Sequence, residues 1–248
     1  MSFTSGLSRD TYLLSLTSLL ADSSTEMLYP VLPFFITQVL GSSAGTLCGI
    51  EGVAGATQYL SQGPSGWLSD RLTSRRPLAA AGYLVAALAK PVLGSADSWP
   101  QALAGRVADR LGSGTRSAPR NAMIAASAVG DARGRAFGLE GFGDNLGALI
   151  GPLLCLLFIF TLQFPIRSVF YLALVPGLAA FFLVLLVRDR RPDQERDRAG
   201  RGKVRELPSG YWKYLLATGL FGLGNSTNAL LILRAQNIGL SLETTILV

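Results

Sequence analysis

Gly66-Trp-Leu-Ser-Asp-Arg-Leu-Thr-Ser-Arg-Arg76 decides the fold class of this 248-residue chain. The stretch sets one Asp and three Arg between two long segments of apolar and small residues. On a soluble surface such a charge run means little. Between two hydrophobic spans it reads as a tight cytoplasmic turn, because Lys and Arg are retained on that side of a bilayer.

The composition agrees. Hydrophobic residues make up 49% of the chain and charged residues 15%, with a mean hydropathy of +0.38. A soluble domain carries about 25% charged residues, so one water-soluble core is excluded. The 28 Gly suit membrane helices that pack closely. A transmembrane barrel would need alternating strands of about ten residues, and the apolar runs are far longer. The expected class is therefore an all-α integral membrane protein.

The net charge of +6 points to topology rather than to nucleic acid. Basic residues cluster in alternate loops: Arg71, Arg75 and Arg76, then Arg116, Arg120, Arg133 and Arg135, then the run over 188–205. The intervening loops at 41–45 and 94–100 hold no Lys or Arg, and the one at 161–167 holds a single Arg. This alternation predicts six spans with both ends of the block, and so the N-terminus, in the cytoplasm. The spans are expected at about 11–39, interrupted by Pro30 and Pro33, then 44–68, 77–95, from 99 onward, 136–160 and 166–187. A polar stretch rich in mixed charge, Pro and Gly follows, and reads as a flexible linker. The domain organisation is thus a six-helix bundle over 1–187, a cytoplasmic linker over 188–210, and the start of a second, incomplete bundle over 211–248 holding about one and a half further helices.

Several features resemble the major facilitator superfamily. Gly66, Asp70, Arg71, Arg75 and Arg76 fit its signature loop between helices 2 and 3, with Thr73 and Ser74 departing from the usual Gly and Arg. Six spans, a basic linker and a new span match that family's two parallel six-helix repeats. The polar segment at 21–28 also echoes the one at 224–231. In span four, Arg106 precedes a Gly-rich segment as in the family's proton-coupling motif, although Asp109-Arg110 replaces the usual Gln-Gly. In span five, Gly147-xxx-Gly151-Pro152, extended by Gly143, resembles the family's antiporter motif. The resemblance implies alternating access, with proton-coupled efflux of small organic molecules, and the abundance of Arg and Ala over Lys points to a bacterial source and so to its cytoplasmic membrane. A uniporter or importer of the same fold, with the glycines serving packing only, stays open. So does a transport-inactive fragment: the chain ends just inside an apolar segment, which favours truncation over assembly with a second half or copy.

Ionisable groups inside a bilayer are costly enough to be functional candidates by default. Asp22 and Glu26, four residues apart, share one helical face and form a candidate proton or substrate site. The alternative is that they pair with basic residues of other helices. Arg106, Asp109 and Arg110 are candidates for coupling or, equally, for structural pairing. Glu51 and Gln58 in span two are weaker candidates, and Lys90 is expected to pair with an acid across the bundle. Asn225 and Asn228 would contribute from span seven. Arg116 and Arg120 are expected at the cytoplasmic end, extended toward water. Asp70 and the neighbouring arginines are read as a two-state latch, or as topology signals alone. The chain has no His, and Cys48 and Cys155 lie in apolar segments. No metal or cofactor is expected, and without His no nucleophile–base pair of an enzyme can be built. The expected partners are lipid, protons and a small-molecule substrate, not nucleic acid.

Overall fold

The computed structural model describes residues 6–128, 132–189, 208–224, 228–241 and 244. Among these every regular element is a helix. α1 spans Arg9–Glu26, and a turn leads into α2, Leu32–Phe34, which runs on as a π-helical turn at Phe35–Val39. α3 is Ala44–Arg71, α4 is Arg76–Gly94 and α5 is Trp99–Ser127. α6 is Arg133–Leu156, extended by a π-helical turn at Leu157–Thr161. The sixth span divides into α7, Ile166–Leu172, and α8, Leu174–Leu185. α9, Ser209–Gly224, and α10, Asn228–Asn237, follow the linker, of which 190–207 lies outside the described residues.

Local chemistry accounts for these boundaries. Ser8 and Ser43 cap α1 and α3 by accepting the amides of Thr11 and Thr46. Pro77 and Pro100 sit in the first turns of α4 and α5, where the missing N–H is harmless. The first span breaks where Pro30 and Pro33 were expected to interrupt it: α1 stops at Glu26, and Pro33 lies in the first turn of α2. The break in the sixth span was not anticipated. Pro176 withholds the N–H that would bond Leu172, and at the break the Ala173 carbonyl accepts both the Gly177 amide at 3.3 Å and the Ser24 hydroxyl at 2.6 Å.

Among the described residues, three helical stretches are long and apolar enough by length and composition to cross a membrane: Arg76–Gly94, Arg133–Thr161 and Ile166–Leu185. α1, α3 and α5 carry polar or charged groups that dilute their apolar character. α1 packs along α6 and α8, and α5 lies between α3 and α4. Two apolar clusters close the ends of the bundle. One holds Phe35, Ile36, Leu47, Leu93 and Phe170, with the Phe35 and Phe170 rings 4.8 Å apart. The other holds Leu14, Tyr83, Met123, Ile124 and Val184. The polar layer lies between them. α10 touches α2 and α3, whereas α9 is exposed through Phe221.

Candidate functional site

The interior charges form a ladder built mainly on α5. Arg106 donates through Nε and Nη2 to the two oxygens of Glu51 on α3, at 2.7 and 3.1 Å, and through Nη1 to Asp109 at 3.1 Å. The other Asp109 oxygen takes Lys90 Nζ of α4 at 3.3 Å, and Lys90 also donates to the Ala86 carbonyl. Two cations and two anions thereby cancel in a sealed layer, where Arg106 is 1% exposed and Asp109 and Lys90 are each 2% exposed. Sealing them is tolerable only because each is both paired and hydrogen-bonded. Asp109 is the acid that Lys90 was expected to find. Arg110, the next residue along, reaches only the Gln58 amide oxygen, at 3.2 Å.

A second set joins α1, α5 and α6. Asp22 pairs with Arg116 at 3.6 Å, and the Arg116 guanidinium lies 4.5 Å over the Tyr83 ring. Arg120 donates to Ser18 at 3.0 Å and pairs with Glu140 at 3.0 Å and Asp144 at 3.5 Å. Ser18 in turn donates to Glu140 at 3.1 Å. Glu26 makes no hydrogen bond or ion pair among the described residues, so the structure separates the roles of the two α1 acids. The expectation that Arg116 and Arg120 extend to water at a helix end is corrected here. α5 continues to Ser127, which sets both arginines inside the bundle opposite acids. Glu140 escaped the sequence reading, although its spacing of four residues from Asp144 puts both acids on one face of α6.

The α6 glycines form the groove that seats α1. A Cβ at Gly143 would lie 2.5 Å from the Ser15 carbonyl, and one at Gly147 would lie 3.1 Å from Asp22 Cβ. At Gly151 it would approach Glu26 Cβ and the Ser23 carbonyl at 2.8 Å each. Pro152 follows within the same helix. The stripe therefore sets the depth at which Asp22 and Glu26 lie in the bundle. Gly82 and Gly112 make a similar close crossing between α4 and α5.

The opening motif is mostly helix rather than loop. Gly66 to Arg71 are the last turns of α3, because four residues suffice to reverse the chain into α4. Gly66 faces Ala118 of α5, where an added Cβ would sit 3.3 Å from the alanine methyl. Arg71 lies 3.8 Å over the Trp67 ring, and Arg75 approaches Asp70 at 3.9 Å. The firm contacts come from a residue the sequence reading passed over. Asp189, just past α8, accepts the Ser74 hydroxyl at 2.8 Å and the amides of Arg75 and Arg76. Arg76 reciprocates by donating to the Leu185 and Val187 carbonyls. An acid thus meets the start of α4 and a cation meets the end of α8, as the two helix dipoles favour. Arg188 extends the clasp to α1, its amide donating to Asp10 at 3.2 Å. Asn225 lies outside the described residues, and Asn228 opens α10 with its side chain outside them.

Comparison with known proteins places this geometry. A family model described as the Major Facilitator Superfamily matches residues 14–247. The chain is 33% identical over 233 residues to an uncharacterised MFS-type transporter of Methanocaldococcus jannaschii, covering 93% of this chain and 57% of that protein. It is 28% identical over 199 residues to an uncharacterised protein of Mycobacterium tuberculosis, covering 77% of this chain and 48% of that protein. The chain therefore spans about half the length of the curated relatives it matches. Among solved structures, a POT family transporter in complex with 5-aminolevulinic acid superposes with a TM-score of 0.65 at 20% identity, over 96% of this chain and 49% of that one. The human organic anion transporter MFSD10 superposes at 0.59 and 20% identity, over 76% of this chain and 49% of that one. These likenesses establish the fold.

Proposed function

The chain belongs to the major facilitator superfamily of transporters, and on that premise we propose that it is the first half, with the start of the second, of a proton-coupled exporter of small organic molecules. It is an integral membrane protein of helices, and secondary transport is its family's business. Efflux, proton exchange and a bacterial cytoplasmic membrane with the N-terminus inside are the reading offered here. The observation that carries it is the seating of α1 on the α6 glycines, which presents Asp22 and Glu26 to the same interior as Arg110 and Arg116.

Asp22 has the arrangement of a proton carrier. Its carboxylate has one cation partner, at 3.6 Å, and that guanidinium rests on an aromatic ring rather than on a second acid. Protonating Asp22 frees Arg116, and losing the proton restores the pair. The Arg106–Glu51–Asp109–Lys90 layer is instead the scaffold, since each of its charges is already neutralised. The clasp of Asp189 and Arg76, with Asp70 and Arg75 beside it, would hold the cytoplasmic helix ends together in one state and part in the other. A second six-helix bundle, from a longer chain or another copy, would complete the substrate cavity.

Everted membrane vesicles containing the chain test this reading. A compound that binds it should discharge an imposed pH gradient, and Asp22→Asn should abolish the discharge while leaving binding intact. Transport without proton movement would favour a uniporter. One observation supports that second reading: Gly143, Gly147 and Gly151 all meet α1, so helix packing alone accounts for them.

A further inference from the structure

Among the described residues where α1 faces α5, two charges are left over when the pairing is traced; Arg135, whose Nε also lacks a hydrogen-bond partner, sits in the first turn of α6. Arg106, Lys90, Arg116 and Arg120 each hold a carboxylate, and Glu51, Asp109, Asp22, Glu140 and Asp144 each hold a cation, all at 3.6 Å or less. Arg110 has only the neutral Gln58 amide. Glu26 has no hydrogen bond or ion pair among the described residues. The α1–α5 contacts Thr11–Ser127, Ser18–Arg120 and Asp22–Arg116 run in one antiparallel register, which sets Glu26 at about the level of Arg110 although the two form no ion pair. Both are half-buried, in contrast to the sealed layer above them.

Unpaired charges in a low-dielectric interior are unfavourable, and the natural relief is a ligand that brings the missing counter-charges. A neutral molecule relieves neither group, and a singly charged one relieves one while leaving the other stranded. We propose that the α1–α3–α5 face binds a zwitterion, its carboxylate or phosphate oxygens on Arg110 and its ammonium on Glu26. A guanidinium can present two parallel N–H groups to such an anion, and Gln58 holds it in place from behind. Since Arg110 and Glu26 form no ion pair with each other, the ligand must bridge them with one charge at each end. Arg110 is also where the chain departs from the Gly of the family pattern noted above, so the cation belongs to this chain's own chemistry.

This inference rests on reading that face as the substrate site, but its test involves no proton movement and so can fail or succeed independently of exchange. The chain in lipid nanodiscs is melted with 5-aminopentanoate, diglycine, pentanoate, pentylamine or pentanamide, each titrated to give an affinity. At least one of the two zwitterions should stabilise it more than every singly charged or neutral compound. Glu26→Gln should weaken that zwitterion about ten- to a hundredfold, the value of a hydrogen bond to a charged group, and leave pentanoate nearly unchanged. Arg110→Gln should do the same with pentylamine as the unaffected probe. Glu26→Asp and Arg110→Lys, with unliganded melting as the folding control, should keep the preference. Equal or larger shifts from a singly charged or neutral compound, or no shift from either zwitterion, overturns the assignment.

Discussion

Arg106 reaches Glu51 through two nitrogens and Asp109 through a third, so its guanidinium has no charge left to offer a ligand. On the proposed reading its part is structural. Removing one member of such a buried set strands the others, at a cost of about 3–5 kcal/mol. Glu51→Leu should lower the melting temperature sharply, and Arg106→Met combined with Glu51→Leu should cost less than the two single changes summed. Strict additivity in that cycle would show that the pair is not coupled. Tyr83 makes the opposite case. Its ring supports Arg116, while its hydroxyl is buried without a hydrogen-bond partner among the described residues. Tyr83→Phe keeps the ring and removes an unsatisfied group, so thermal stability should hold or rise slightly. A marked loss would reveal a partner for that hydroxyl.

At the scale of helices, contact decides which glycines matter. Gly138 and Gly141 lie on the same helix as Gly147 and Gly151, yet a Cβ on either would meet nothing within 4 Å. Alanine at 138 or 141 should leave stability unchanged or raise it by up to about 1 kcal/mol, the helix-propensity gain over Gly. Alanine at 147 or 151 must push α1 away, costing about 1–3 kcal/mol as overpacking does, and displacing Asp22 and Glu26 with it. Melting curves of the four variants check this contrast. The clasp between α4 and α8 gives a second prediction. Asp189→Ala removes the acceptor at the start of α4, and caps of this kind contribute about 1 kcal/mol. Faster amide hydrogen exchange at Arg75 and Arg76 should result, with the distant Lys90 region unaffected. Unchanged exchange at those two amides would mean that Asp189 does not hold the turn.

On the scale of the whole molecule, α1, α3 and α5 carry most of the interior charges, α4 adds Lys90 and α6 adds Glu140 and Asp144, and α8 packs beside α1 and α4. That arrangement explains why half of the expected spans carry charges that a lone membrane helix would not tolerate. The proposed orientation is open to direct measurement. In a background with Cys48 and Cys155 replaced by Ala, a membrane-impermeant maleimide applied to intact cells should label Ser95→Cys and not Thr73→Cys. The reverse pattern would invert the topology, and equal labelling of both would deny that a membrane separates them.

Apolar length was enough to read helices and their order from the sequence, and the alternation of arginine-rich and arginine-poor loops gave an expected topology, because charge placement and apolar length are properties of the chain read in one dimension. The glycine face of α6 and the family's signature stretch were legible for the same reason: each recurs at helical spacing on a single element. Pairing was not legible. Which acid holds Lys90, why Arg116 and Arg120 stay inside, and why Asp189 governs a turn more than a hundred residues away depend on contacts between helices remote in sequence. Whether a charge inside the membrane meets a partner is decided only by the folded bundle, which pairs Asp22 with Arg116 and leaves Arg110 and Glu26 without an ion pair among the described residues.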